Sequence, residues 1–261
     1  LPPIPLPREG GDIGSLRSQF VGCASLGPVR EGEVNRQLVG YGLLLALMLV
    51  APTLVYPVLV MKILCFALFA CAFNLLIGYT GLLSFGHAVF LGTAGYVAGH
   101  SIKVWGFPPE LGLIAATLAA AALGWVIGSL AIRRSGIYFA MITLALAQMM
   151  YFFFLQAPFT GGEDGLQDVP RGKLLGIIDL ADDFNLYYFV LAIFIFAFWL
   201  IHRTIHSPFG QVLKAIRENE ARAISLGYDV AKYKLLAFVL SAGLAGLAGA
   251  TKTLVFRFAT L

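Results

Sequence analysis

Acidic side chains vanish from long stretches of this chain: no Asp or Glu lies between Glu33 and Glu110, and none between Glu110 and Glu163. Apolar runs fill those stretches, several of them close to the length of about 20 residues that a helix needs to cross the hydrocarbon core of a bilayer. With 59% hydrophobic and 12% charged residues and a mean hydropathy of +0.84, the sequence is more apolar and less charged than a soluble domain. Bilayer, not water, is its solvent.

Seven stretches qualify or nearly qualify as spans: Leu38 to Val58, Val60 to Ile77, Phe85 to His100, Leu111 to Ile132, Ile137 to Leu155, Tyr187 to Thr204 and Leu235 to Leu254. The expected fold is an all-α polytopic membrane protein of about seven transmembrane helices. The third stretch is short, and the chain reaches it through Gly78-Tyr79-Thr80-Gly81-Leu82-Leu83-Ser84-Phe85-Gly86-His87. Such a glycine-rich break predicts a broken helix, tolerated in a membrane only where protein or a water-filled cavity covers the freed backbone groups. Gly95 with Gly99, Gly124 with Gly128, and the run Gly243, Gly246 and Gly249 predict closely packed helices, because small residues let backbones approach where lipid supplies no hydrophobic drive.

Basic residues set the expected orientation. With a cytoplasmic N-terminus, the inside segments hold Arg8, Arg17, Arg30, Arg36, Arg133, Arg134, Arg203, Lys214, Arg217, Arg222, Lys232 and Lys234. The outside segments hold only Lys62, Lys103, Arg171, Lys173, Lys252 and Arg257, an asymmetry that favours this topology. Residues 156–185 then form an outside loop rich in Asp and Glu, and residues 205–234 a cytoplasmic segment. Residues 1–37, rich in Gly, Pro and charge and without an apolar core for a signal peptide, read as a disordered cytoplasmic leader to a transmembrane domain over 38–261. The net charge of +4 does not point to nucleic acid, because the basic residues are spread over short loops instead of one patch. Cys23, Cys65 and Cys71 show no disulfide or metal-ligand spacing. No phosphate-binding glycine loop or other cofactor motif occurs, so an energy source has to lie in another chain.

The segment 205–234 carries the sharpest local signals. Ser207 followed by Pro208 predicts a capped helix start, with Phe209, Val212, Leu213 and Ile216 on one face. Asn219 predicts the cap of a second, two-turn helix that ends at Gly227, and Asp229 the cap of the helix that re-enters the bilayer. A short amphipathic helix isolated at a membrane surface, with charges of both signs, suits docking into a partner's groove or lying at the lipid interface. Ser84 and His87 imitate a nucleophile and base, yet no carboxylate is near them in sequence, and backbone or polar contacts at the break are the expected role.

From Ser207 to Ala250 the chain holds Phe209-Gly210, Ala215-Ile216-Arg217-Glu218-Asn219-Glu220, Leu226-Gly227, Tyr233-Lys234 and Ala245-Gly246-Leu247-Ala248-Gly249-Ala250. Upstream lie Gly81-Leu82-Leu83-Ser84-Phe85-Gly86-His87-Ala88, then Arg134-Ser135-Gly136-Ile137-Tyr138-Phe139-Ala140, then Thr160-Gly161-Gly162-Glu163-Asp164-Gly165-Leu166. In this order they resemble the permease family of branched-chain amino acid ABC importers, the LivM type. That resemblance covers about residues 40–261. It implies a bacterial inner-membrane permease without enzymatic activity or cofactor of its own, ATP being bound by partners. The implied partners are two cytoplasmic ATPase subunits, a second related permease and a periplasmic substrate-binding protein. Asn219, Glu220, Ala221, Arg222, Leu226 and Gly227 would form the contact with the ATPase. Gly81, Ser84, Gly86 and His87 are the candidates for the translocation path, where a broken-helix N-terminus favours a substrate carboxylate. Family chains continue through further spans where this sequence stops at Leu261, so the resemblance also implies a C-terminally incomplete domain. Urea or short amides are the alternative substrates. Two distant alternatives are a seven-helix retinal protein built on Lys252 and an intramembrane hydrolase built on Ser84 and His87.

Overall fold

The computed structural model describes residues 46–53, 55–134, 136–157, 160–174, 178–180 and 182–259. Two compact units divide after Val50. In the first, only the helical residues 46–50 are described, so the expected leader and residues 38–45 of the first expected span lie outside the described residues. Beyond the helical residues 51–53, the described residues of the second unit form eight helices: α1 (Pro57–Thr80), α2 (Ala88–Lys103), α3 (Pro109–Ala131), α4 (Ile137–Gln156), α5 (Asp183–Ile205), α6 (Pro208–Glu218), α7 (Glu220–Ser225) and α8 (Val230–Phe256). A single turn of 3-10 helix, Gly162–Asp164, precedes a small hairpin in which β1 (Lys173–Leu174) pairs antiparallel with β2 (Ile178–Asp179).

Five of these helices, α1, α3, α4, α5 and α8, are long and apolar enough to cross a membrane. The expectation of seven spans narrows to these five among the described residues. The third expected span, Phe85 to His100, is the exception within the described unit. Its helix begins only at Ala88 and holds 16 residues, about 24 Å at 1.5 Å per residue and so short of a hydrocarbon core of about 30 Å.

Local chemistry explains the ends. Pro57 and Pro109 occupy the first helical positions of α1 and α3, where a missing N–H costs nothing and a fixed φ is already helical. Helix α1 stops because Gly81 takes φ +70, its N–H bonding back to the Ile77 carbonyl at 3.2 Å.

Helix α8 is the hub. It packs on α1, α2 and α3, and 72% of its apolar window is buried, against 22% for α4. Its small residues make this possible: a Cβ on Gly249 would overlap the Leu91 carbonyl of α2, and one on Gly246 the Ala120 side chain of α3. Leucine-sized residues at these positions would hold the helices apart and forfeit the contact.

The helices alternate in direction. At one end lie the C-termini of α1, α3 and α5, the N-termini of α2, α4 and α8, and both short helices α6 and α7. At the opposite end the loop after α4 is bound to the tail after α8. The Leu166 and Ala259 backbones bridge there, and the Val169 N–H donates to the Arg257 carbonyl at 3.0 Å. Arg171, with its side chain 10% exposed, ties α5 and α8 together at that end by pairing with Asp183 at 2.7 Å and donating to the Val255 carbonyl.

Candidate functional site

The segment joining α5 to α8 is built from three side-chain caps. Ser207 Oγ accepts the Gly210 N–H at 3.4 Å, Asn219 Oδ1 the Arg222 N–H at 3.0 Å, and Asp229 Oδ1 the Lys232 N–H at 3.3 Å. Each satisfies a donor that a helix start leaves unpaired. The Lys232 side chain, 2.9 Å from Asp229 Oδ2, holds that carboxyl below the ordinary carboxylate range. Gly227 sits at φ +88, a conformation in which a Cβ is strained, and it turns the chain from α7 toward α8.

Apolar spacing then folds the segment onto itself. Leu213 and Ile216 of α6 are buried, with Phe209 and Val212 half-buried on the same face. Ile216, Ala223 of α7 and Val230 of α8 form a small core of their own, flanked by Val212 and Tyr233. What α7 and the turn after it show to solvent is mixed: Ala221 and Arg222 are exposed, and so are the apolar Ile224, Leu226 and Tyr228 at 59%, 67% and 41%. Glu220 differs from its neighbours. Its carboxylate lies 2.8 Å from the buried Lys234 ammonium of α8, so the first of the two charges expected to face a partner is already engaged within the chain.

Helix α6 reaches back to the break. Arg217 Nη1 donates to the Gly78 carbonyl in the last turn of α1, and Lys214 lies over the Tyr79 ring at 5.6 Å. Cationic groups are favoured at a helix C-terminus, where unpaired carbonyls and the helix dipole concentrate negative potential. Asn74, Gly78, Tyr79, Lys214, Arg217 and Glu218 line a cleft of about 660 Å³ between the two helices.

From Gly81 the chain runs non-helical to His87 with alternating burial: Leu82, Ser84 and Gly86 point inward, Leu83 and Phe85 outward. Gly86 lies against the Thr143 carbonyl of α4 so closely that a Cβ would overlap it. His87 is 2% exposed and ringed by Phe69, Phe73, Phe90 and Phe238 at 5.3 to 6.3 Å between ring centres. Its Nε2 lies 3.1 Å from Ser241 Oγ of α8. The first N–H groups of α2 are partly spent on local turns, since Val89 N–H donates to the Gly86 carbonyl and Phe90 N–H to the His87 carbonyl.

The structure links the neighbourhoods of the two sequence-derived groups through one residue: Arg217, two positions before Asn219, touches Gly78 in the last turn before Gly81. It does not join Ser84 to His87, because Ser84 Oγ has no hydrogen-bond partner among the described residues and the His87 bond goes to Ser241. A nucleophile and base need that bond, with a carboxylate behind the base, so the hydrolase geometry is absent. For Lys252, no ion pair with a carboxylate exists among the described residues, and a retinal counter-ion is missing with it. Thr143 Oγ1 donates to the Ala140 carbonyl of its own helix at 2.9 Å. Three residues outside the candidate site residues, Arg217, Lys234 and Ser241, make the contacts that join the elements. The only signal for them was a charge or hydroxyl in an otherwise apolar or small-residue setting.

Residues 57–261, well over half of the chain, match the family described as branched-chain amino acid transport system / permease component. The chain belongs to that family. Among curated relatives, the high-affinity branched-chain amino acid transport system permease protein LivM of Escherichia coli (strain K12) is 29% identical, with 67% of this chain and 47% of the relative covered. The protein of the same description from Salmonella typhimurium (strain LT2) is 28% identical with the same coverage. This permease-family chain therefore spans about half the length of the curated relatives that it matches. No solved structure matches it significantly.

Proposed function

We propose that the chain is the transmembrane permease subunit of an ATP-binding-cassette importer for branched-chain amino acids. Its N-terminal side and the segment 205–234 face the cytoplasm of a bacterial inner membrane. The observation that carries this reading is α7. It is a short capped helix with exposed Ala221, Arg222 and Ile224, followed by exposed Leu226 and Gly227, and it is held on the bundle by an apolar core and an ion pair. Exposed apolar side chains beside an exposed arginine suit a partner's groove better than open water.

In this reading two cytoplasmic ATPase subunits close on ATP and displace the segment Asn219 to Gly227, which switches the spans between inward and outward access. A second, related permease completes the pathway. A periplasmic binding protein docks on the loop 156–185, whose acidic residues include Asp164, Asp168, Asp182 and Asp183. The broken stretch through Gly81, Ser84, Gly86 and His87 lies on the path. The printed function of the two relatives supports a branched-chain substrate; urea and short amides are the alternatives.

Pull-down of the intact chain from membranes tests the reading. An ATPase and a binding protein should accompany it, and that binding protein should take leucine and valine in preference to urea. Labelling a single cysteine placed at Gly227 with a membrane-impermeant reagent decides the orientation. Labelling from the periplasmic side would sink the importer assignment.

A further inference from the structure

One face of α8 carries Lys234, Ala237, Phe238 and Ser241, spaced i, i+3, i+4 and i+7. All four are buried. At its cytoplasm-proximal end this stripe meets α7, through Lys234 and Glu220 at 2.8 Å. Two turns further on it meets the break. Ser241 Oγ donates to the Ala72 carbonyl of α1 at 2.5 Å and lies 3.1 Å from His87 Nε2. A hydroxyl has one proton, and here it goes to Ala72; the oxygen therefore accepts the N–H of His87 Nε2. Between the two contacts Phe238 stands edge-on to His87 and to Phe90, at 6.3 and 5.5 Å.

Ordinary packing does not require either contact. Hydroxyls elsewhere on α8 satisfy themselves within the helix, Thr251 on the Leu247 carbonyl and Thr253 on that of Gly249. Ser241 reaches two other elements instead. A lysine in the first turns of a spanning helix ordinarily extends to water, as Lys232 does with its side chain 80% exposed. Lys234, at 9%, turns inward to Glu220. A small displacement of α7 therefore cannot leave α8 in place without separating the ion pair, and α8 cannot shift along its axis without pulling on the His87 ring. Packed elements of this kind move between discrete arrangements instead of deforming smoothly.

From this geometry we infer that Lys234 and Ser241 are the positioning residues through which movement of α7 reaches the Gly81–His87 break. The inference rests on the reading above, that a partner moves α7, and adds the route by which the movement travels.

The test uses the whole complex in proteoliposomes, with ATP hydrolysis and substrate uptake measured together. In Ser241→Ala and Lys234→Met the ATPase stays attached and hydrolysis stays within about two-fold of the intact chain, while uptake per ATP falls roughly ten-fold. Exchanging the charges, Glu220→Lys with Lys234→Glu, restores most of the ratio. The double exchange is the deciding arm: a chain that assembles but does not couple overturns the inference. Unchanged uptake per ATP in both single variants overturns it as well, and so does a parallel loss of attachment, hydrolysis and uptake, which marks a merely structural role. An intact chain that brings down no ATPase overturns the earlier reading and this inference with it.

Discussion

Lys234 and Glu220 form an ion pair whose members are unequally placed: the lysine side chain is 9% exposed and the glutamate side chain 46%. The two ways of breaking the pair are therefore not equivalent. Glu220→Gln leaves an ammonium buried without its counter-charge, which costs about 1–3 kcal/mol. Lys234→Met leaves a carboxylate that water can still reach, next to an apolar chain of similar volume, and costs less than about 1 kcal/mol. Thermal unfolding in detergent should show the lower Tm for Glu220→Gln. Equal Tm values would mean that water reaches Lys234.

Two glycines of α8 separate close approach from helix propensity. A Cβ at 249 would overlap the Leu91 backbone carbonyl, which cannot rotate away, whereas one at 243 would meet only the Ala121 Cβ at 3.7 Å. Gly249→Ala is expected to destabilise by about 1–3 kcal/mol through overpacking. Gly243→Ala should be neutral or stabilising by up to about 1 kcal/mol, the difference in helix propensity. Side-by-side melting curves of the purified variants check both signs.

Leu226 and Ile224 are exposed at 67% and 59%, so charges there disturb nothing inside the chain. Leu226→Glu and Ile224→Asp should leave Tm unchanged and weaken ATPase attachment at least about ten-fold, as truncation of apolar anchors does at interfaces. Quantitative pull-down measures this. Attachment equal to that of the intact chain would remove α7 as the docking element.

Arg171 acts as a fork at the opposite end, one nitrogen on Asp183 and the other on the Val255 carbonyl. A lysine keeps the charge but not the planar two-pronged geometry. Arg171→Lys should therefore speed amide exchange in residues 164–170 nearly as much as Arg171→Ala does. Hydrogen exchange read by mass spectrometry distinguishes this from a purely electrostatic latch, for which the lysine variant would exchange as slowly as the intact chain.

Most of the helices were legible because their causes are local. Ser207, Asn219 and Asp229 cap helices in the structure as their side-chain types predict, and the long apolar runs become long helices. The stretch from Phe85 to His100, short already in the sequence, was counted among the spans, whereas its apolar character reflects burial inside the bundle by α8 and α3. Composition records only that a residue avoids water. It does not say whether protein or lipid replaces the water. The expected charge at Glu220 was read for a partner because its true counter-ion, Lys234, stands fourteen residues away across two turns of chain.

By itself the sequence determined that the chain lives in a bilayer, where the helices capped by Ser207, Asn219 and Asp229 begin, and which family it resembles, because apolar run length, capping chemistry and motif order are properties of neighbouring residues. Only the tertiary structure decided that Arg217 holds the last turn before the break, that His87 is bound by Ser241 and not by Ser84, and that Glu220 is spoken for. Those contacts join residues far apart in the chain, and their energies depend on burial and on distances of a few ångströms that arise only once the helices pack.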